Sequence, residues 1–136
     1  MPKIKHIAIA TPEPEKTAQF YQEVMGLKVV ARNDFADTEA VFLSDGDINL
    51  ALLRFKTDEA ALCAQGAKFV GLHHIGFLVK DEAENDAVLQ RLQELKAPFL
   101  QGGPIGVAGV YAEVKVKDPN GVTLDISAGG WPGVDR

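Results

Sequence analysis

Lys5-His6-Ile7-Ala8-Ile9-Ala10 and His73-His74-Ile75-Gly76-Phe77-Leu78 are two strand-like runs that place a histidine at matching positions 68 residues apart, and the same offset carries Leu27-Lys28 onto Leu95-Lys96. Each run leads into an acidic helix start, Pro12-Glu13-Pro14-Glu15 in the first case and Asp81-Glu82-Ala83-Glu84 in the second, and then into an amphipathic helix. A repeat of this length with its histidines in register predicts two similar modules facing one shared site.

Working outward from the repeat, each half reads as strand, helix and three strands. In the first half Lys3 to Ala10 alternates, with Ile7 and Ile9 on one face and His6, Ala8 and Ala10 on the other. Phe20, Val24 and Leu27 recur at helical spacing, which predicts Phe20 and Val24 as core, and Gly26 is placed to end the helix. Strands are predicted over Leu27 to Arg32, Glu39 to Ser44 and Asp47 to Phe55, the last two joined at Asp45-Gly46, a hairpin signal. Lys56 to Val70 is a connector containing a helical turn. The second half gives Gly71 to Val79, a helix from Glu82 to Lys96, then strands over Phe99 to Gln101, Val110 to Lys117 and Val122 to Ser127, with a turn at Asp118-Pro119-Asn120-Gly121. The glycine-rich run from Gln101 to Gly109 joins two strands rather than opening a helix, which argues against a phosphate-cradling loop.

Composition narrows the class. The chain has 136 residues, 46% hydrophobic and 24% charged, in the range of a single globular domain. No apolar run approaches the roughly 18 residues of a membrane span, and Met1-Pro2-Lys3-Ile4 enters a strand with no signal-peptide pattern, so a cytoplasmic protein is expected. A formal charge of −5 gives no electrostatic footprint for nucleic acid. The single Cys63, in Leu62-Cys63-Ala64, reads as a small hydrophobe rather than a nucleophile.

The βαβββ repeat, the His-Ile opening of each half and Asp118-Pro119-Asn120-Gly121-Val122-Thr123-Leu124-Asp125-Ile126 resemble the vicinal oxygen chelate superfamily. Its members include glyoxalase I, methylmalonyl-CoA epimerase, extradiol dioxygenases and the bleomycin- and fosfomycin-resistance proteins. The resemblance covers nearly the whole chain as one domain: module 1 over about 1–55, connector about 56–70, module 2 about 71–128, and a tail at 129–136. It implies an α+β fold in which two βαβββ modules form a cupped eight-stranded mixed sheet, with a divalent metal (Zn, Ni, Mn or Fe) on the concave face. Carried over position by position, the implied metal ligands are His6, His74 and Asp125. Alternation agrees independently, because Leu124 and Ile126 read as core-facing and Asp125 therefore points with Thr123 and Ser127 to the opposite face.

The fourth ligand position departs from the family pattern. Counted from the hairpin glycine it falls on Ala51, which cannot coordinate; with the register shifted by two it falls on Asn49, a weak amide donor. Glu113 alternates onto the same side as Tyr111 and Lys115, as a candidate general base or a solvated strand charge. His73 should face the other way and reads as structural. Trp131, in Gly129-Gly130-Trp131-Pro132-Gly133, would cover the mouth of the cup, pack on a second subunit or lie on the domain's own surface.

The resemblance implies a glyoxalase-like metalloenzyme of lyase or isomerase type acting on an oxygen-bearing small molecule. The metal would be a Lewis acid and Glu113 the proton carrier. A metal-free sequestering protein like the bleomycin-resistance members is the alternative that Ala51 favours, and an extradiol-type dioxygenase is a third. A homodimer is expected by analogy with superfamily members.

Overall fold

The computed structural model describes residues 1–102 and 111–135. Most of the glycine-rich run, Gly103 to Gly109, and Val110, the expected start of a strand, lie outside the described residues. The chain divides into two compact units: His6–His73 with Pro132–Asp135, and Met1–Lys5 with His74–Trp131. The terminal segments are thus exchanged relative to the sequence repeat, and the α-amino group of Met1 pairs with Glu84 at 2.6 Å in the second of these units.

In the first unit β1 (Lys3–Ala10) runs parallel to β4 (Asn49–Phe55), β4 antiparallel to β3 (Thr38–Ser44), and β3 antiparallel to β2 (Lys28–Asp34). β4 begins at Asn49, later than the expected Asp47. The Asp45 carboxylate accepts from the backbone N–H groups of Asp47 and Ile48, at 2.9 and 2.8 Å, which draws both residues into the turn, where Gly46 takes φ 102°. Helix α1 (Pro14–Met25) starts with Pro14 in its first turn and stops where Gly26 adopts φ 73°, its N–H reaching back to the last carbonyls.

Phe20 and Val24 are not core: they are 53% and 59% exposed. The face of α1 turned to the sheet carries Pro14, Ala18 and Tyr21, with Ala18 packed into Val41, Leu43 and Leu52. Phe20 lies about 200° around the helix from Ala18 and cannot share that face. Ala18 is small because the strand residues beneath it are large, and a longer side chain there would overpack the contact. Ile9, Leu27, Val29 and Leu50 complete this cluster.

The connector holds a short helix, α2 (Asp58–Ala61), capped by the Thr57 hydroxyl, and a 3-10 turn at Gly66–Lys68. Cys63 is half-buried with its sulfur 3.6 Å from the Gly66 carbonyl oxygen. His73 Nε2 donates to the Ala61 carbonyl at 2.6 Å, and its ring packs beside Phe55 and Phe69, the structural part expected of it.

The second unit repeats the plan. β5 (Gly71–Leu78) is parallel to β8 (Thr123–Ser127), β8 antiparallel to β7 (Val114–Lys117), and β7 antiparallel to β6 (Phe99–Gly102). Helix α3 (Glu82–Glu94) is capped at its start, where Asp81 accepts from the Glu84 N–H and Glu84 accepts from the Lys80 N–H. It ends before the expected Lys96, which takes φ 56° and leaves the helix. Val88, Leu89 and Leu92 of α3 lie on a core of Val79, Val114, Val116 and Ile126. The expected class, α+β built from two βαβββ modules with eight strands in all, is the one observed. Among the described residues no helix is long and apolar enough to cross a membrane.

Candidate metal centre

The two units place their chemistry on equivalent strand pairs. His6 lies opposite Asn49 and Ala8 opposite Ala51 in the β1–β4 pair; His74 lies opposite Thr123 and Gly76 opposite Asp125 in the β5–β8 pair. Register therefore makes Ala51 the counterpart of Asp125 and Asn49 the counterpart of Thr123. The fourth position of the pattern is an alanine, 1% exposed.

Asn49 is wholly buried and already engaged. Its Oδ1 lies 2.8 Å from His6 Nδ1, and its Nδ2 donates to the Pro132 carbonyl at 2.9 Å. His6 itself is 3% exposed. The tail is therefore bound on its own chain: Trp131 is 6% exposed, and the Ser44 hydroxyl donates to the Gly133 carbonyl at 2.8 Å. Gly133 has φ 77°, and a Cβ there would stand 2.8 Å from a Val30 methyl, so only glycine fits.

In the second unit His74 Nε2 lies 3.1 Å from Asp125 Oδ2, and both side chains are 5% exposed. The other carboxylate oxygen accepts from Lys115 Nζ, whose residue is the direct β7 partner of Asp125. Burial, followed by the Lys115 charge, lowers the His74 pKa, so the ring is neutral at neutral pH. Burial opposes the charged form of Asp125, but the His74 hydrogen bond and the Lys115 ammonium outweigh it and hold the carboxyl well below its ordinary range. The pair is thus a neutral imidazole donating to an ionised carboxylate that a lysine also clasps.

Glu113 is half-buried, and one of its carboxylate oxygens accepts from the Ala128 N–H at 2.8 Å. That bond aims the side chain along the end of β8. The sequence pattern placed Lys115 on the site face but gave no sign that it grips Asp125. It likewise gave no sign that Asn49 spans from His6 to the tail. Both contacts depend on strand register and, for the tail, on a partner 83 residues away.

The Glyoxalase/Bleomycin resistance protein/Dioxygenase superfamily model matches residues 3–126. No curated protein matches the chain. Among solved structures, hypothetical protein BH1468 from Bacillus halodurans C-125 is 21% identical with TM-score 0.72, the match covering 92% of each chain. A methylmalonyl-CoA epimerase in complex with methylmalonyl-CoA and NH4+ is 24% identical with TM-score 0.72, over 95% of this chain and 96% of that one. A variant of Streptomyces coelicolor methylmalonyl-CoA epimerase, in complex with 2-nitronate-propionyl-CoA, is 25% identical with TM-score 0.71, over 93% and 97%.

Proposed function

The chain belongs to the glyoxalase/bleomycin resistance protein/dioxygenase superfamily, and from that premise we propose that it is an isomerase-type metalloenzyme moving a proton next to a carbonyl group of a small molecule. The observation that carries the reading is the buried His74–Asp125 pair, a neutral imidazole against an ionised carboxylate. In this reading His6, His74 and Asp125, all buried and of ligand type, hold one divalent ion. Two imidazoles and a carboxylate suit Zn(II), Ni(II), Mn(II) or Fe(II) and leave coordination positions for substrate oxygen. When bound, such an ion supplies Lewis-acid polarisation of a carbonyl oxygen.

The remaining work falls to the chain's own side chains. Glu113, steadied by the Ala128 N–H at one oxygen, takes a proton from the carbon beside the carbonyl and returns it. Lys115 keeps Asp125 ionised in the unliganded protein, as the nearest positive charge on its carboxylate. Branched acyl thioesters are the first substrates to try, since two of the similar structures hold methylmalonyl-CoA or a propionyl-CoA nitronate.

Ala51 and the Lys115 contact on Asp125 favour a second reading, in which the chain binds a small molecule without a metal or catalysis. Incubation with an acyl-CoA in D2O, with and without Zn(II), Ni(II), Mn(II) or Fe(II), separates the two. The proposal expects metal-dependent uptake of deuterium at the carbon beside the thioester, reduced at least about 100-fold in Glu113→Gln. Binding without exchange under any metal would support the second reading.

A further inference from the structure

We propose that the C-terminal tail sets which nitrogen of His6 can bind a metal, through Asn49 acting as a positioning residue. This rests on the metal-binding role proposed for His6. The chain of contacts begins at Pro132, whose carbonyl oxygen accepts from Asn49 Nδ2 at 2.9 Å. A carbonyl only accepts, so the amide has one workable orientation, with Oδ1 directed at His6. Oδ1 lies 2.8 Å from His6 Nδ1 and can only accept in turn. When the ring is neutral its proton is therefore on Nδ1, and Nε2 carries the lone pair that a metal requires.

Three features make this arrangement hard to reverse. Asn49 is 0% exposed, so water cannot take over either of its bonds. It sits opposite His6 in the β1–β4 register, so the backbone fixes the separation of amide and ring. The tail cannot drift away from the amide, because Ser44 also holds the Gly133 carbonyl and Gly133 fits against Val30 and Ser44 only as glycine. In the second module the counterpart of Asn49 is Thr123, and His74 Nε2 meets the Asp125 carboxylate. The two modules thus fix their histidines by different means, the first through a segment beyond the repeat.

Long-range 1H–15N spectra of the metal-free full chain, labelled at its three histidines and recorded near pH 8, test the proposal directly. His6 is identified by loss of its signals in His6→Gln. The expected pattern is a protonated Nδ1 and an unprotonated Nε2 in the parent chain. Asn49→Ala, and a chain ending at Trp131, should each give a mixture of tautomers at His6 with His73 unchanged. Asn49→Asp, whose carboxylate still accepts from Nδ1, should restore the Nδ1–H form. Zn(II) affinity, read by competition with a chromophoric chelator, should fall about tenfold or more in Asn49→Ala. A proton on His6 Nε2 in the parent overturns the proposal, and so does an unchanged tautomer in both Asn49→Ala and the shortened chain. If Asn49→Ala does not fold, the parent spectrum and the shortened chain decide. An Nδ1–H form in a protein that binds none of the four metals would instead refute the metalloenzyme reading and leave the orientation by the tail standing.

Discussion

Replacing Asp125 with alanine is expected to lower stability by about 3 kcal/mol at pH 7 and to abolish metal-dependent turnover. The Asp125 side chain is 5% exposed and is the shared partner of a buried imidazole and a largely buried ammonium, so its removal strands Lys115 in a low-dielectric setting. The double variant Asp125→Ala with Lys115→Met removes both charges and should recover most of the stability while recovering none of the turnover. That separates the cost of an unpaired cation from the loss of a ligand. The pH dependence has a fixed sign. Because the folded protein holds the Asp125 carboxyl below its ordinary value of 3.8, its contribution is complete above that pH and is lost as the pH falls below it. Urea unfolding of parent and variant should therefore show a constant gap from pH 7 to about 4 that narrows on further acidification. A loss under about 1 kcal/mol at pH 7 would mean that Lys115 and His74 find other partners.

Ala51→Glu is expected to have opposite effects with and without metal. Register makes Ala51 the counterpart of Asp125, and it is enclosed by Ala8 on β1 and Phe42 on β3. A glutamate introduced there without a cation should destabilise the chain by at least about 1–3 kcal/mol, the usual cost of burying an uncharged polar group without a partner, which a charged carboxylate exceeds. With excess Zn(II) or Ni(II) it would supply the ligand that the pattern lacks, raising metal affinity at least about tenfold. Since a ligand that binds only the folded state stabilises it in proportion to its affinity, saturating metal should raise the variant's melting temperature much more than the parent's. Equal destabilisation at every metal concentration would contradict the reading of Ala51 as the fourth ligand position.

The Asp45-Gly46 turn, the Gly26 helix stop and the alternation of β1 were legible in the sequence, because each is written in local periodicity or turn chemistry, whereas the parallel β1–β4 and β5–β8 pairings join segments too distant in sequence to leave such a mark. Helix α1 was misread for a physical reason: its buried face is built around Ala18, while Phe20 and Val24 present a more apolar but outward row. A hydrophobic pattern cannot identify a contact face made of small residues. The candidate ligands were legible by residue type, but the contacts that orient them were not. The Lys115 grip on Asp125 follows from the β7–β8 register, and the Asn49 contact with Pro132 from the return of the tail. Neither leaves a trace within a few residues of the group it orients. Trp131 stood out against its glycine-proline surroundings, but only the fold shows that the segment ends on its own chain.

Metal content per chain is the most direct test of the account. Elemental analysis of protein purified without a tag or chelator, and again after incubation with Zn(II), Ni(II), Mn(II) and Fe(II), should find about one transition metal per chain in the parent and almost none in folded His74→Ala. A parent that remains metal-free after every incubation, or a His74→Ala variant that keeps the parent's metal content, would contradict it.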